Sequence, residues 1–176
     1  MMDQLDNAQP VLERGWWKPR WKLEKFHNCP DHETAVREGR IPDEVMEVDG
    51  NVLLNGGITV LLKLLAGASA TAYNNANSNI AVGNSSTAEN ATQTNLQGTI
   101  VLAGMNATYP QVSGQTITWQ ASFGSSAANF NWLEVGVQNG TGSPADPVWL
   151  LNRKQQNFGT KVSGSTWTMT LSLTIS

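Results

Sequence analysis

The last fifteen residues constrain the fold more than any other stretch. From Val162 to Ser176 the chain reads V-S-G-S-T-W-T-M-T-L-S-L-T-I-S, in which Trp167, Met169, Leu171, Leu173 and Ile175 alternate with Thr168, Thr170, Ser172, Thr174 and Ser176. Side chains repeat every two residues in a β-strand, so the segment has one apolar face and one hydroxyl face and must find strand partners. A similar phrase stands upstream: V-S-G-Q-T-I-T-W-Q-A-S-F, Val112 to Phe123, puts Ile117, Trp119, Ala121 and Phe123 on one face. Both phrases enter through Ser-Gly, Ser113-Gly114 and Ser163-Gly164, a turn signal ahead of a β-rich run. We read them as two inward-facing strands of one antiparallel fold, with Trp119, Phe123, Trp132, Trp167, Leu171 and Leu173 in its core.

Charge divides the chain. Of the 25 Asp, Glu, Lys and Arg residues, 18 lie in residues 1–50, which leaves a weakly charged remainder rich in Asn, Thr, Ser and Gly. The division predicts two parts: residues 1–49 as an extended, charged, Trp-containing N-terminal arm, and residues 50–176 as the β domain. In the arm, Pro10, Pro19, Pro30 and Pro42 interrupt any sustained period, apart from a short helix over about Asp31 to Glu38, capped by Asp31 and stopped by Gly39. Exposed tryptophans on an arm invite aggregation, so Trp16, Trp17, Trp21 and Phe26, with Arg20 among them, are candidate contacts to a neighbouring subunit. The alternative is that the arm folds back and packs its tryptophans on its own domain.

Within the β domain, N-G-G-I-T-V-L-L-K-L-L predicts one short helix over about residues 56–66, with Leu61, Leu62, Leu64 and Leu65 facing inward and Gly67 as the stop. Short strands follow around Ile80–Val82, Thr99–Met105, Asn131–Val137 and Val148–Asn152, with a loop through Gly142, Ser143, Pro144, Asp146 and Pro147 between the last two. The expected fold is therefore mainly β: an antiparallel β-sandwich or partly closed barrel with one short helix and an extended N-terminal arm.

A net charge of −3 supplies no basic field to gather nucleic acid. The longest apolar run, Ile58 to Leu65, is too short to cross a bilayer. With no signal-like N-terminus and a single cysteine, Cys29, the expectation is a soluble protein made in a cytoplasm, without an intramolecular disulfide. Residues 51–176 contain no His and no Cys, so no Ser-His or Cys-His pair can be assembled there, and nothing in the spacing of their only acids, Glu89, Glu134 and Asp146, indicates a glycosidase pair. Glu134 reads as a half-exposed strand residue and Arg153-Lys154 as a solvated strand edge. His27, Cys29 and His32, with Asp31 beside them, have zinc-binding chemistry but match no common ligand spacing, and they read as part of a polar arm. The expectation is a chain with no catalytic residues, no metal and no cofactor.

Several phrases resemble, in the same order, a group of small virion structural proteins of tailed bacteriophages: L-L-N-G-G-I-T-V-L-L-K-L-L-A-G, A-Y-N-N-A-N-S-N-I-A-V-G-N-S-S-T-A, A-N-F-N-W-L-E-V-G-V-Q-N-G and L-N-R-K-Q-Q-N-F-G-T-K-V-S-G-S-T-W-T-M-T. The resemblance covers about residues 50–176. It implies a non-enzymatic component of the virion, and the arm-plus-domain layout suggests a capsid cement or decoration protein. Its expected partners are the major capsid protein and copies of itself, as a homotrimer or homodimer, with the arm as the latch. The alternative is a tail, fibre or baseplate adaptor that recognises a host-surface glycan, with Tyr73, Tyr109 and Trp149 as the stacking aromatics.

Overall fold

The computed structural model describes residues 17–140 and 149–176; Trp16 and the loop residues Gly142, Ser143, Pro144, Asp146 and Pro147 lie outside them. Two antiparallel sheets, each with open edges, face each other as a sandwich rather than a closed barrel. The alternating C-terminal segment becomes a strand, Thr166–Ile175, at the centre of the first sheet. We number the strands in chain order. The first sheet runs β2 (Glu44–Asp49), β1 (Trp17–Phe26), β11 (Thr166–Ile175), β7 (Thr116–Phe123) and β6 (Gln111–Ser113). The second runs β3 (Val52–Leu53), β10 (Asn152–Thr160), β8 (Asn131–Asn139), β4 (Ser78–Gly83) and β5 (Ile100–Gly104), with β9 (Trp149–Leu150) also on β8.

The two similar phrases are immediate neighbours. Trp167, Met169, Leu171 and Leu173 of β11 face Phe123, Ala121, Trp119 and Ile117 of β7. Their apolar sides meet Ile80, Val82, Val135 and Val137 of the second sheet in one buried core. Trp132 sits edge-on to both Phe123 and Trp167, with ring centroids 4.8 Å apart in each pair. Gly114 and Gly164, the glycines of the two Ser-Gly signals, take positive φ values of 56° and 87°, which an L side chain disfavours.

The described part of the expected arm is sheet. β1 pairs along its whole length with β11, from Trp17↔Ile175 to Phe26↔Thr166, and carries β2 on its other side. A period-two pattern is present after all: Pro19, Trp21 and Leu23 are buried while Lys18, Arg20, Lys22 and Glu24 stand outward. Pro19 conceals it, because proline normally breaks a ladder. Here its carbonyl accepts from Gly50 N (3.0 Å) just beyond the end of β2. The ring nitrogen points to that same side, where few ladder bonds remain to be lost.

There are two helices. α1 (His32–Arg37) is capped as the sequence indicates, with Asp31 Oδ1 accepting from Thr34 N at 2.7 Å and Gly39 at φ 61° beyond it. α2 (Asn55–Leu65) buries Gly57 and Val60 and leaves Leu62 and Leu65 exposed, so the expectation that all four leucines face inward is corrected. The reason is geometric: at about 100° per residue the buried face is centred on Gly57, Val60 and Leu64, and Leu65 and Leu62 lie about 100° and about 160° round the helix from Leu64.

A second correction concerns β8 and β10. Glu134 is fully buried rather than half-exposed, and Arg153 is buried rather than on a solvated edge. Arg153 Nε donates to Glu134 Oε2 at 2.8 Å on the outer side of the second sheet, under the loop of residues 84–99. Glu134 also accepts from Gln97 N and Gly98 N, while Arg153 reaches Gln93 Oε1 and Thr87 O. Gly83 lies opposite Glu134, where a Cβ would approach the carboxylate to 2.4 Å. The loop is thus fastened by its hydrogen bonds to this ion pair, by Glu89 accepting from Gln155 N, and by Leu96 buried with Leu54, Ala81 and Leu150.

Candidate functional site

The residues singled out in the sequence fall into three groups. Trp21 is completely buried in the chain's own core, and Phe26 is buried with Cys29 and Ala35, so neither is free to enter a neighbour. Burial on its own domain is the alternative stated for the arm, and it holds for these two residues. Arg20 is exposed and its Nε donates to Asp49 at 3.0 Å across the β1–β2 pair. Of the four arm aromatics, Trp17 alone is described and exposed, at 39 %.

Tyr73, Tyr109 and Trp149 do not form one aromatic platform. Tyr73 is buried, donates from its hydroxyl to Trp149 O at 3.0 Å, and accepts at its own carbonyl from Trp119 Nε1. Burial pushes the Tyr73 phenol well above its ordinary value. Trp149 packs against Gly56 of α2, where a Cβ would stand 3.0 Å from its ring. Tyr109 lies in the loop between β5 and β6, half-buried, with its carbonyl held by Asn75 Nδ2 at 2.6 Å.

His27, Cys29 and His32 are not brought together. Cys29 is buried with its thiol on Asp31 O at 3.2 Å, His27 is exposed, and His32 Nδ1 lies 3.2 Å from Thr168 Oγ1. Among the described residues no group of three His, Cys, Asp or Glu side chains converges to hold a metal ion.

Two surfaces remain, at different places on the sandwich. The first is apolar. Where β1 begins and β11 ends, the space between the sheets stays open as a groove of about 360 Å³, walled by Trp17, Val112, Ile117, Leu173 and Ile175 on one side and Leu61 and Leu64 of α2 on the other. Trp17, Val112 and Ile175 are 39, 74 and 47 % exposed, and Ile58, Leu62 and Leu65 make a further exposed stripe along α2. The last three are spaced i, i+4, i+7, one helical face. The leucine-rich phrase carried this signal: apolar residues all round a short helix exceed what one sheet can cover.

The second surface is polar. The outward side of the first sheet carries the hydroxyl half of the alternating pattern, joined across β7 and β11: Thr116 to Thr174 at 2.7 Å, Thr118 to Ser172 at 3.3 Å, Gln120 to Thr170 at 3.2 Å, Ser122 to Thr168 at 2.8 Å. At the Ser122 end the ladder runs into a groove of about 820 Å³ between α1 and the β5–β6 loop. Asn106 fixes its floor by donating to Gln120 Oε1 at 2.8 Å and Ser122 Oγ at 3.0 Å. The one signal at Asn106 in the sequence is the Asn-Ala-Thr pattern of an N-glycosylation acceptor, expected by chance in an Asn/Thr-rich chain, and it does not point to this floor.

Comparison with family models, with curated proteins and with solved structures gave no match to this chain.

Proposed function

We propose that this chain is a non-enzymatic structural protein of a tailed-bacteriophage particle, a decoration or cement protein that seats on the head shell and on copies of itself. The observation that carries this function is the apolar end: a groove and an adjacent ridge of exposed leucines on a sandwich whose outer sheet face is otherwise polar. Contiguous exposed apolar surface of this kind marks association. A ridge beside a groove is also self-complementary, because a two-fold axis between copies places each ridge against the other's groove. Repeated by shell symmetry, modest contacts add up to firm attachment.

This function moves the latch. Residues 17–49 are strands and helix of the domain, so attachment is assigned to Leu62, Leu65, Trp17 and Val112 at the apolar end. The absence of an enzymatic role is supported by Glu134, whose two carboxylate oxygens are taken up by Arg153 and by backbone N–H groups of the 84–99 loop. The partners proposed are the major capsid protein and the chain itself, the location is the virion, and no direct contact with nucleic acid or membrane is required. Among the described residues no helix is long and apolar enough to cross a membrane.

The test is occupancy on shells assembled from the major capsid protein. A Leu62→Glu/Leu65→Glu variant, both positions exposed, is expected to fold normally and to lose attachment. Undiminished occupancy of that variant would remove the apolar end from the function.

A further inference from the structure

The polar groove has no task in the attachment just described, and its chemistry is of a different kind. It lies on the outward side of the first sheet, and its volume of about 820 Å³ is within the range of small-molecule sites. Its floor is a locked network: Asn106 Nδ2 bonds both Gln120 and Ser122, Ser122 bonds Thr168, and Thr168 bonds His32 Nδ1. Groups held this way are oriented before any ligand arrives, which lowers the ordering cost of binding.

Much hydrogen-bonding capacity stays unused. Asn106 has both amide hydrogens engaged, and its Oδ1 is an acceptor without a protein partner among the described residues. Gln120 Nε2 has given one of its two hydrogens, to Thr170. His32 Nε2 has no protein partner among the described residues, and the Thr116–Thr174 and Thr118–Ser172 pairs each retain a donor and lone pairs. Tyr109 supplies the one aromatic ring along the wall.

The lining is mixed, with Val36, Met105 and Ala107 beside the polar floor, and that balance favours a ligand that has both kinds of surface. An apolar ligand would strip water from Asn106 and Gln120 without replacing their bonds. An anion would meet Asp31 and Glu33 at the rim, and a cation would meet Arg37. A peptide adding a strand needs a free sheet edge, and β7 is occupied here: Asn106 N donates to Gln120 O at 2.8 Å and Met105 bridges Ala121. What fits is an uncharged molecule with many hydroxyls and a C–H face to lay on an aromatic ring. Beyond Ser122 the floor continues as three further hydroxyl or amide rungs, so a chain of such units finds more of the same surface. We propose that the groove between α1 and the β5–β6 loop binds a neutral oligosaccharide, with Asn106, Gln120, Ser122 and His32 as its hydrogen-bonding floor and Tyr109 as its stacking wall.

The full chain is titrated with maltohexaose, cellohexaose and chitohexaose while its amide resonances are followed by NMR, with a sulfated oligosaccharide as the charged control. The expected result is saturable displacement of the Asn106 and Gln120 side-chain amide signals by at least one neutral probe. Tyr109→Ala and Gln120→Ala, with unchanged melting temperature, each weaken binding by about tenfold or more. No displacement by any neutral probe at millimolar concentration overturns the proposal. So does displacement mapped away from the groove, a response to the sulfated probe alone, or a wild-type affinity in both variants. Leu62→Glu/Leu65→Glu should bind the saccharide as wild type does, which separates this site from the attachment surface.

Discussion

At the scale of single residues, two buried charges decide most. Arg153 and Glu134 are both fully buried 2.8 Å apart, and each also ties down backbone or side-chain groups of the 84–99 loop. Removing one partner strands the other, which typically costs about 3–5 kcal/mol. Glu134→Gln is therefore expected to lower the unfolding free energy measured by urea denaturation by that amount, and Arg153→Met in the same background to recover part of the loss. Lys161 is the other case: buried, its Nζ donates to Gly124 O at 2.8 Å and Asn129 Oδ1 at 2.9 Å, and burial pulls its ammonium down to about 8. An unfolded lysine titrates near 10.5, so between these values the unfolded chain holds more protons and stability rises with pH. Above about pH 10 the buried Tyr73 acts oppositely, since only the unfolded phenol ionises readily there. Melting temperatures across pH 8 to 10 should climb in the wild type and lie flat in Lys161→Met.

At the scale of elements, β1 is the strand whose loss matters most to the first sheet. It lies between β2 and β11 and buries Trp21 and Leu23 in the shared core. Trp21→Ala is expected to cost about 3–5 kcal/mol, read as a shift in the denaturation midpoint. A chain beginning at residue 46 should show no cooperative unfolding by circular dichroism. How far such elements can be read from sequence depends on how cleanly burial shows in residue type. β7 and β11 were legible because each alternates apolar with hydroxyl side chains. β1 was obscured by a proline whose cost vanishes at the end of a neighbouring strand, a tertiary circumstance. β10 was missed beyond Asn152 because N-R-K-Q-Q-N-F-G-T is polar; besides Phe158 it buries Asn152 and Arg153, whose Oδ1 and guanidinium find partners 15 to 66 residues away. The two surfaces divide the same way. The leucines of α2 were plain, and only their outward turn was not. The Asn106 floor required the loop to be folded over β7 before it existed.

At the scale of the whole molecule, the apolar end and the polar face give the sandwich two unlike surfaces. If the apolar end joins copies, sedimentation velocity over a rising concentration series should show the chain moving from monomer to a defined oligomer, and Leu65→Glu should hold it as monomer. The pairing of β1 with β11 has a further consequence, in time rather than space. Phe26 and its partner Thr166 are roughly 140 residues apart, so at about 5–20 residues per second β1 waits on the order of 7–30 s for its central neighbour to be made. Throughout that interval Trp21 and Leu23 lack the strand that covers them, and the first sheet cannot close until residues 166–175 have been made.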